Sequence, residues 1–259
     1  MQLVATDIGN SSTKCLFEKN STSGQTSICT FILDENHEID FEDAGYLGSE
    51  PAYWSVSSVN QSKTNIFQRL INTCRPKDTV HLIAAHEVPI QSSVESREQL
   101  GRDRLIAGWM ATEIGDTGPR IVVDAGTAVT IDLVTMKNSK PSFEGGFIFP
   151  GAQANLSILN QATGALPDLS DLAQSRKNWD FKIGRSTEDA ILQGVYQSQI
   201  EAIQGMTNQL LRANPDAVVY TTGGGIKPIL KRLPADWNHK PNLVLLGAAE
   251  LGRRAIDAR

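Results

Sequence analysis

Two short segments rich in aspartate, glycine and hydroxyl side chains state one chemical theme twice in this 259-residue chain. The first is Asp7-Ile8-Gly9-Asn10-Ser11-Ser12-Thr13-Lys14, and the second is Asp124-Ala125-Gly126-Thr127-Ala128-Val129-Thr130. Each follows an apolar run (Leu3-Val4-Ala5, Ile121-Val122-Val123) and leads into a second β-prone stretch (Cys15-Leu16-Phe17, Ile131-Asp132-Leu133-Val134). The pattern predicts strand, tight glycine turn, strand, made twice, with a carboxylate closing each first strand. Glycine lets the backbone approach a ligand closely, and the N–H and hydroxyl groups of such a turn can point at phosphate oxygens. A carboxylate repels phosphate, so Asp7 and Asp124 belong there only if a cation or a water stands between. The chemistry this implies is phosphate handling.

Four other segments could serve the same site. In Gly101-Arg102-Asp103-Arg104 one acid lies between two arginines where a helix begins. It is either a capping acid with solvated arginines or a carboxylate that takes a proton from a substrate hydroxyl beside an orienting arginine. Gly223-Gly224-Gly225 sits between a strand and a helix, where it is either a flexible turn or a place for a nucleotide base or ribose to approach the backbone. Glu144-Gly145-Gly146-Phe147-Ile148-Phe149-Pro150-Gly151-Ala152 either shapes a pocket or is only a close-packed turn. Ser186 or Thr187 caps the long helix that Glu188 and Asp189 open, or offers a hydroxyl to a ligand. A P-loop and the protein-kinase motif set are absent. The four histidines have no metal-binding spacing, and the four tryptophans have no spacing of a base-stacking platform.

These segments need elements to hold them. Strands are expected at 2–7, 13–18 and 27–33, a polar loop at 34–50, and a helix at 63–74 capped by Ser62 with Ile66, Phe67, Leu70 and Ile71 on one face. A buried strand at 79–85 and a helix from Arg102 through Met110 follow. The turn cluster Gly115-Asp116-Thr117-Gly118-Pro119 marks the boundary between domains 1–117 and 118–259. Beyond it come strands at 120–124, 129–135 and 143–149, a helix at 152–160, a loop at 164–180 and a long helix at 187–211. A strand at 217–220, a helix near 226–233, a strand at 243–246 and a last helix from Ala248 complete the pattern. The fold class is α/β, built from two duplicated domains.

The bulk composition narrows the function. Hydrophobic residues make up 40% and charged residues 20% of the chain, as in ordinary soluble globular proteins. The net charge of −5 argues against a nucleic-acid or membrane-surface binder, each of which favours a basic face. An acidic protein that holds a polyanion must recruit metal ions or place cations locally, and Lys14, Arg102 and Arg104 suit that role. Three cysteines (Cys15, Cys29, Cys74) without CxxC spacing fit a reducing compartment, with Cys15 reading as a small core residue. Asp7 interrupts the N-terminal apolar run, and no stretch reaches bilayer-spanning length, so the expected location is the cytoplasm.

The set of motifs resembles the type III pantothenate kinases, a family in the acetate kinase, sugar kinase, Hsp70 and actin superfamily. The resemblance rests on Asp7–Lys14, Gly101–Arg104, Asp124–Ala128, Gly145–Gly151, Ile183–Thr187 and Thr222–Gly224, met in the family's order from the first strand to the last helix. It implies two actin-like (ribonuclease H-like) domains with an interdomain cleft. It implies that Asp7, Ile8, Gly9, Asn10, Ser11, Ser12, Thr13 and Lys14 hold ATP phosphates, with Asp7 organising magnesium, and that Thr127, Gly223 and Gly224 contact ATP. By the same resemblance, Asp103 is the general base on the hydroxyl of pantothenate. Val94, Gly101, Arg102, Arg104 and Thr187 then line the pantothenate site, and Asp124 binds potassium or ammonium. A homodimer completing that pocket across its interface is implied as well. Two positions depart from the family pattern: Arg102 stands where alanine is usual, and Val94 where an aromatic residue often lies. The reaction implied is ATP-dependent phosphorylation of pantothenate. A kinase of another small hydroxy acid or sugar, or a non-catalytic ATP-binding regulator, are the alternative readings of the same motifs.

Overall fold

The computed structural model describes residues 2–18, 26–31, 47–115, 117–175 and 180–258. Positions 34–46 of the expected polar loop, His37 within them, Asp116 and Trp179 lie outside the described residues. In chain order the elements begin with β1 (Gln2–Ile8), β2 (Thr13–Glu18), β3 (Thr26–Phe31), β4 (Ala52–Ser58), α1 (Gln61–Cys74), β5 (Thr79–Leu82), β6 (Gln91–Ser92) and α2 (Arg102–Glu113). They continue with β7 (Arg120–Ala125), β8 (Ala128–Lys137), β9 (Lys140–Pro150), α3 (Ala152–Thr163), α4 (Ser170–Ser175), α5 (Thr187–Ala213), β10 (Val218–Thr222), β11 (Asn238–His239) and α6 (Leu243–Asp257).

Contacts divide the chain into two compact units. One comprises Met1–Ile90, Glu95–Met110 and Leu243–Arg259; the other comprises Gln91–Val94 and Ala111–Asn242. The first unit carries a sheet of order β3-β2-β1-β4-β5, in which β1–β2 and β2–β3 are antiparallel and β1–β4 and β4–β5 parallel. The second carries β11-β10-β7-β8-β9-β6, in which β7–β8 and β8–β9 are antiparallel and β7–β10 and β10–β11 parallel. Strand for strand, β7 to β11 repeat β1 to β5 in order and direction. The duplicated α/β architecture is therefore present as the ribonuclease H-like, actin-like arrangement in both units, with β6 added at the edge of the second.

Three sequence expectations need correction. The stretch Ala52–Ser58 was not expected to be a strand, yet β4 is buried along its whole length and lies inside the first sheet, between β1 and β5. Its mixture of Tyr, Trp, Val and Ser lacks the in–out alternation of a half-buried strand, because both its faces are covered. The segment expected as a buried strand at 79–85 is the shorter edge strand β5, and it is partly exposed. Leu243–Leu246, expected as a strand, is the first turn of α6. A short apolar run has no periodicity that separates a buried strand from a buried helix. Here the run is helical because it packs on β1 and β4, with Gly252 set against Leu3 and Ser55 and Gly247 against Ile106. The sequence boundary at 117/118 left this helix with the second domain, whereas contacts put it with the first unit.

Smaller adjustments follow local chemistry. The cap of α1 is Asn60, whose side-chain oxygen accepts from the Lys63 N–H at 3.0 Å, rather than Ser62. The apolar face of α1 is as expected, with Phe67 and Ile71 buried and Ile66 and Leu70 packed beside them. These meet Val4, Ile8, Phe17, Trp54 and Val56, and Trp54 makes edge-on ring contacts with Phe17 at 6.2 Å and Phe67 at 5.5 Å. The short helix α4 lies within the expected loop at 164–180, and the helix near 226–233 is a 3₁₀ helix over Gly224–Arg232. In the second unit, α5 lays Val195, Tyr196, Ile200 and Ile203 against Ile121, Val123, Val129 and Ile131 of the sheet.

Candidate active site

The first aspartate hairpin is built as the residue types dictate. Asp7 faces Lys14 across the β1–β2 ladder, and the Gly9 N–H donates to the Ser12 carbonyl at 3.0 Å, closing the turn. On the other side Asp7 is the direct parallel partner of Ser57 on β4, so Lys14, Asp7 and Ser57 share one face of the sheet. The start of α1 holds the tip: Lys63 Nζ donates to the Asn10 carbonyl at 2.6 Å, and Asn60 Nδ2 to Asn10 Oδ1 at 3.1 Å. Sequence reading missed Ser57, Asn60 and Lys63 as parts of this site. Asn60 carried the one legible signal, since asparagine is a preferred helix cap.

The Gly101–Arg104 segment belongs to the same unit. Arg102 Nη1 donates to the Ser58 carbonyl at 3.2 Å, which sets the start of α2 against the end of β4. Ser58 is itself the β4 partner of Ile8. Asp103 thus stands at the same end of the sheet as Asp7. Its carboxylate curls back to accept the Arg104 N–H at 2.8 Å and lies over the Cα of Gly101, where any Cβ would overlap it. That is a physical reason for glycine at 101. Burial pushes the Asp103 carboxyl above the usual carboxylate range, with the Arg104 N–H and guanidinium pulling partly against it. A half-buried acid whose proton affinity stays raised despite the nearby Arg104 guanidinium suits a general base.

The second hairpin gathers three motifs in its own unit. Asp124, next to last on β7, lies opposite Thr130 and is the parallel partner of Thr222 on β10. The Gly126 N–H donates to the Ala128 carbonyl at 2.9 Å, and Gly151, at the end of the Phe-Ile-Phe-Pro-Gly segment, donates to the Thr127 carbonyl at 2.9 Å. Gly223 has φ of +89°, and a Cβ there would overlap the Ala125 carbonyl and the Asp124 carboxylate. The Gly223→Ala variant should lose about 1–3 kcal/mol of stability through backbone strain alone. Gly224→Ala, with no atom within 4 Å of the added Cβ, should unfold like the parent. Denaturation curves that fail to separate the two variants would refute this packing.

The remaining predicted residues divide between the units. Val94 lies with the second unit, next to Gly145, whose φ is +104°. Thr187 is the first residue of α5, exposed, after the Ser186 hydroxyl has capped the helix by accepting the Asp189 N–H at 3.1 Å. It lines a groove of about 600 Å³ between α3 and α5, together with Asn155, Ile158, Ile191 and Ser198. Asp7, Gly9–Lys14 and Gly101–Arg104 are brought together in the first unit; Asp124–Thr127, Gly223 and Gly224 are brought together in the second.

The donor sets fit hard cations. Among the described residues no group of three or more His, Cys, Asp or Glu could hold a metal, so an ion must draw most ligands from phosphate, water or the main chain. Magnesium bound with a nucleotide has that requirement, and the hydroxyl of Ser57, buried, unbonded and on the same sheet face as Asp7, is an oxygen group within its preference; the buried Thr13 hydroxyl faces the other way, beside Ile8. At Asp124 a carboxylate and the Ala125 carbonyl crowd the same glycine, again an oxygen-only set.

Comparison with known proteins agrees with this chemistry. The family model for type III pantothenate kinases matches residues 3–209. A type III pantothenate kinase of Persephonella marina is 26% identical over 248 residues, covering 90% of this chain and 91% of that one. The Thermosipho melanesiensis enzyme of the same name is 29% identical over 226 residues, covering 86% and 87%. Among solved structures, a ROK hexokinase from Thermus thermophilus aligns over 100% of both chains with a TM-score of 0.48 at 11% identity. With two aspartate–glycine hairpins, the Gly-Arg-Asp-Arg helix start and a family match that spans most of its length, the chain belongs to the type III pantothenate kinase family.

Proposed function

We propose that Asp103 is the general base in ATP-dependent phosphorylation of pantothenate to 4′-phosphopantothenate, the opening step of coenzyme A synthesis. The chain is a kinase with an alcohol acceptor, as its family is. The observation that carries the assignment of the base is the half-buried Asp103 carboxylate, held over Gly101 at the sheet end that also bears Asp7. Phosphoryl transfer asks a protein for positioning and charge neutralisation more than for covalent chemistry. Gly9–Lys14 offer N–H, hydroxyl and ammonium donors to the phosphate oxygens, and Lys63 steadies the turn through the Asn10 carbonyl. Magnesium, bound with ATP near Asp7, supplies charge neutralisation on the phosphates. Thr127, Gly223 and Gly224 contact ATP from the second hairpin, where Asp124 holds a potassium or ammonium ion. Gly101, Arg102, Arg104, Val94 and Thr187 bound the pantothenate site. Asp103 takes the hydroxyl proton as the new P–O bond forms.

Coupled ADP release tests this reading. Release should require pantothenate and should run at least about tenfold faster in potassium than in sodium, because the smaller, more strongly hydrated sodium ion fills an oxygen site for potassium poorly, and loss of a fixed charge at a transferring phosphoryl group costs at least that much. ADP release that ignores pantothenate, or equal rates in the two salts, would overturn the substrate or the cation assignment respectively.

The enzyme acts as a homodimer in the cytoplasm. Supporting the dimer are exposed large apolar side chains: Ile158, which lines the groove at Thr187, is 51% exposed, and Phe181 and Ile183, in the segment leading into α5, are 59% and 80% exposed. Apolar surface of this kind is what an interaction face covers. Sedimentation equilibrium should return twice the chain mass, and a monomer at micromolar concentration would refute the proposal. The location is supported by free cysteines and by the finding that no described helix is long and apolar enough to cross a membrane. Secretion of the folded chain into the periplasm or medium would refute it.

A further inference from the structure

Two thiols face each other in the first sheet and have no part in phosphoryl transfer. Cys15 on β2 and Cys29 on β3 are direct antiparallel partners, so their side chains share one face of the sheet. That face is the one α1 covers. Cys15 is fully buried there among Val4, Phe17, Trp54 and Phe67, while Cys29, half-buried on the outer strand, packs against the same cluster. Directly opposed residues in an antiparallel pair stand about 4.5 or 5.5 Å apart at Cα. Both values lie inside the roughly 4.4–6.8 Å that a disulfide spans. Cys74, the third cysteine, is exposed at the end of α1.

The two sulfurs are chemically unlike. The hydrogen bond from Cys15 lowers the Cys29 thiol below its ordinary range, against the effect of its partial burial. Burial raises the Cys15 thiol, and the bond to Cys29 raises it further. The Thr6 hydroxyl lies 3.4 Å from the Cys15 sulfur and fixes its position. Thiolate character and access together decide which cysteine an oxidant meets first.

We infer that Cys15 and Cys29 are an oxidative modification site, closing a reversible disulfide across β2 and β3 when the protein meets hydrogen peroxide. The Cys29 thiolate attacks one peroxide oxygen, the O–O bond breaks, and the departing oxygen leaves as water after taking a proton, giving a sulfenic acid. The Cys15 sulfur then attacks the Cys29 sulfur, the S–S bond forms, the S–O bond breaks, and a second water leaves with the Cys15 proton. Two thiols lose two electrons in all, and one peroxide becomes two waters. The cross-link lies on the strand that continues directly from Lys14, so oxidation ties the phosphate hairpin to the sheet's outer strand.

The test uses the whole native chain with hydrogen peroxide as the probe, followed by N-ethylmaleimide and peptide mapping. The expected result is a loss of about 2 Da, alkylation of Cys74 alone, a linked peptide joining Cys15 to Cys29, and reversal by dithiothreitol. In the oxidised protein, amide exchange across β2 and β3 should slow by about tenfold or more, as a loop-closing cross-link predicts. Cys29→Ser should leave Cys15 unlinked and unoxidised under the same treatment. Alkylation of all three cysteines after peroxide, a link that includes Cys74, or Cys29 halting at sulfinic acid would each overturn the proposal.

Discussion

Replacement of Asp103 by asparagine should lower kcat by about 10²-fold or more, the usual contribution of a positioned base. ATP affinity should be nearly unchanged, because the nucleotide's proposed contacts are Asp7–Lys14, Thr127, Gly223 and Gly224. Asparagine keeps the shape and can still occupy the space over Gly101, so the loss reports proton acceptance rather than packing. Acid pH should imitate the substitution. Protonation disables the base, and the buried carboxyl holds its proton to a pH above the ordinary 3.8, so the acid limb of kcat/KM should lie above that value. The limb should be missing from the residual activity of Asp103→Asn. Parental turnover from a folded variant would remove Asp103 from the mechanism.

The Asp78→Ala variant should lose about 3–5 kcal/mol of stability, the cost of stranding a buried charge. Asp78 Oδ2 accepts from Arg75 Nε at 2.6 Å and from Trp54 Nε1 at 2.8 Å, while Oδ1 accepts the Ala52 N–H at 2.9 Å. The Arg75 and Asp78 side chains are only 5% and 1% exposed. Arg75 also donates to the carbonyls of Gly48 at 3.1 Å and Glu50 at 2.8 Å, so this one pair ties together the chain leading into β4. Because β4 partners β1 along its length, the damage should reach Asp7, and ATP should bind more weakly to whatever fraction remains folded. Urea denaturation and nucleotide titration of the same preparation would check both parts. A loss below about 1 kcal/mol would mean that solvent reaches the pair and screens it.

Some elements were legible because their residues carry local information. The hairpins at Asp7 and Asp124 announce themselves through glycine between apolar strands, α1 through its repeating apolar face, and α5 through the hydroxyl cap at its start. Other elements depend on partners far away in the chain. Ala52–Ser58 is a strand because β1 and β5 flank it and α1 and α6 cover it, none of which its own seven residues encode. Leu243–Leu246 is a helix because a sheet face built from the far N-terminal part of the chain receives it, as the Gly252 contact with Leu3 and Ser55 records. Asp78, just past the end of α1, is a buried ionic tie to Arg75 that no local pattern marks.

By itself the sequence determined the chemistry available: which carboxylates, hydroxyls, glycines and cations could meet a phosphate, and that they come in two matched sets. Short-range rules suffice for that, since a turn type, a cap or an apolar period is settled within a few residues. The tertiary structure decided which of those groups meet. It laid Ser57 beside Asp7 and drew Arg102 onto the Ser58 carbonyl, so that Asp103 shares Asp7's end of the sheet. It also pressed Gly223 onto the Asp124 hairpin and set Cys15 opposite Cys29. Those pairings come from strand register and helix packing between distant segments, where burial of apolar faces selects one partner among many and no local pattern names it.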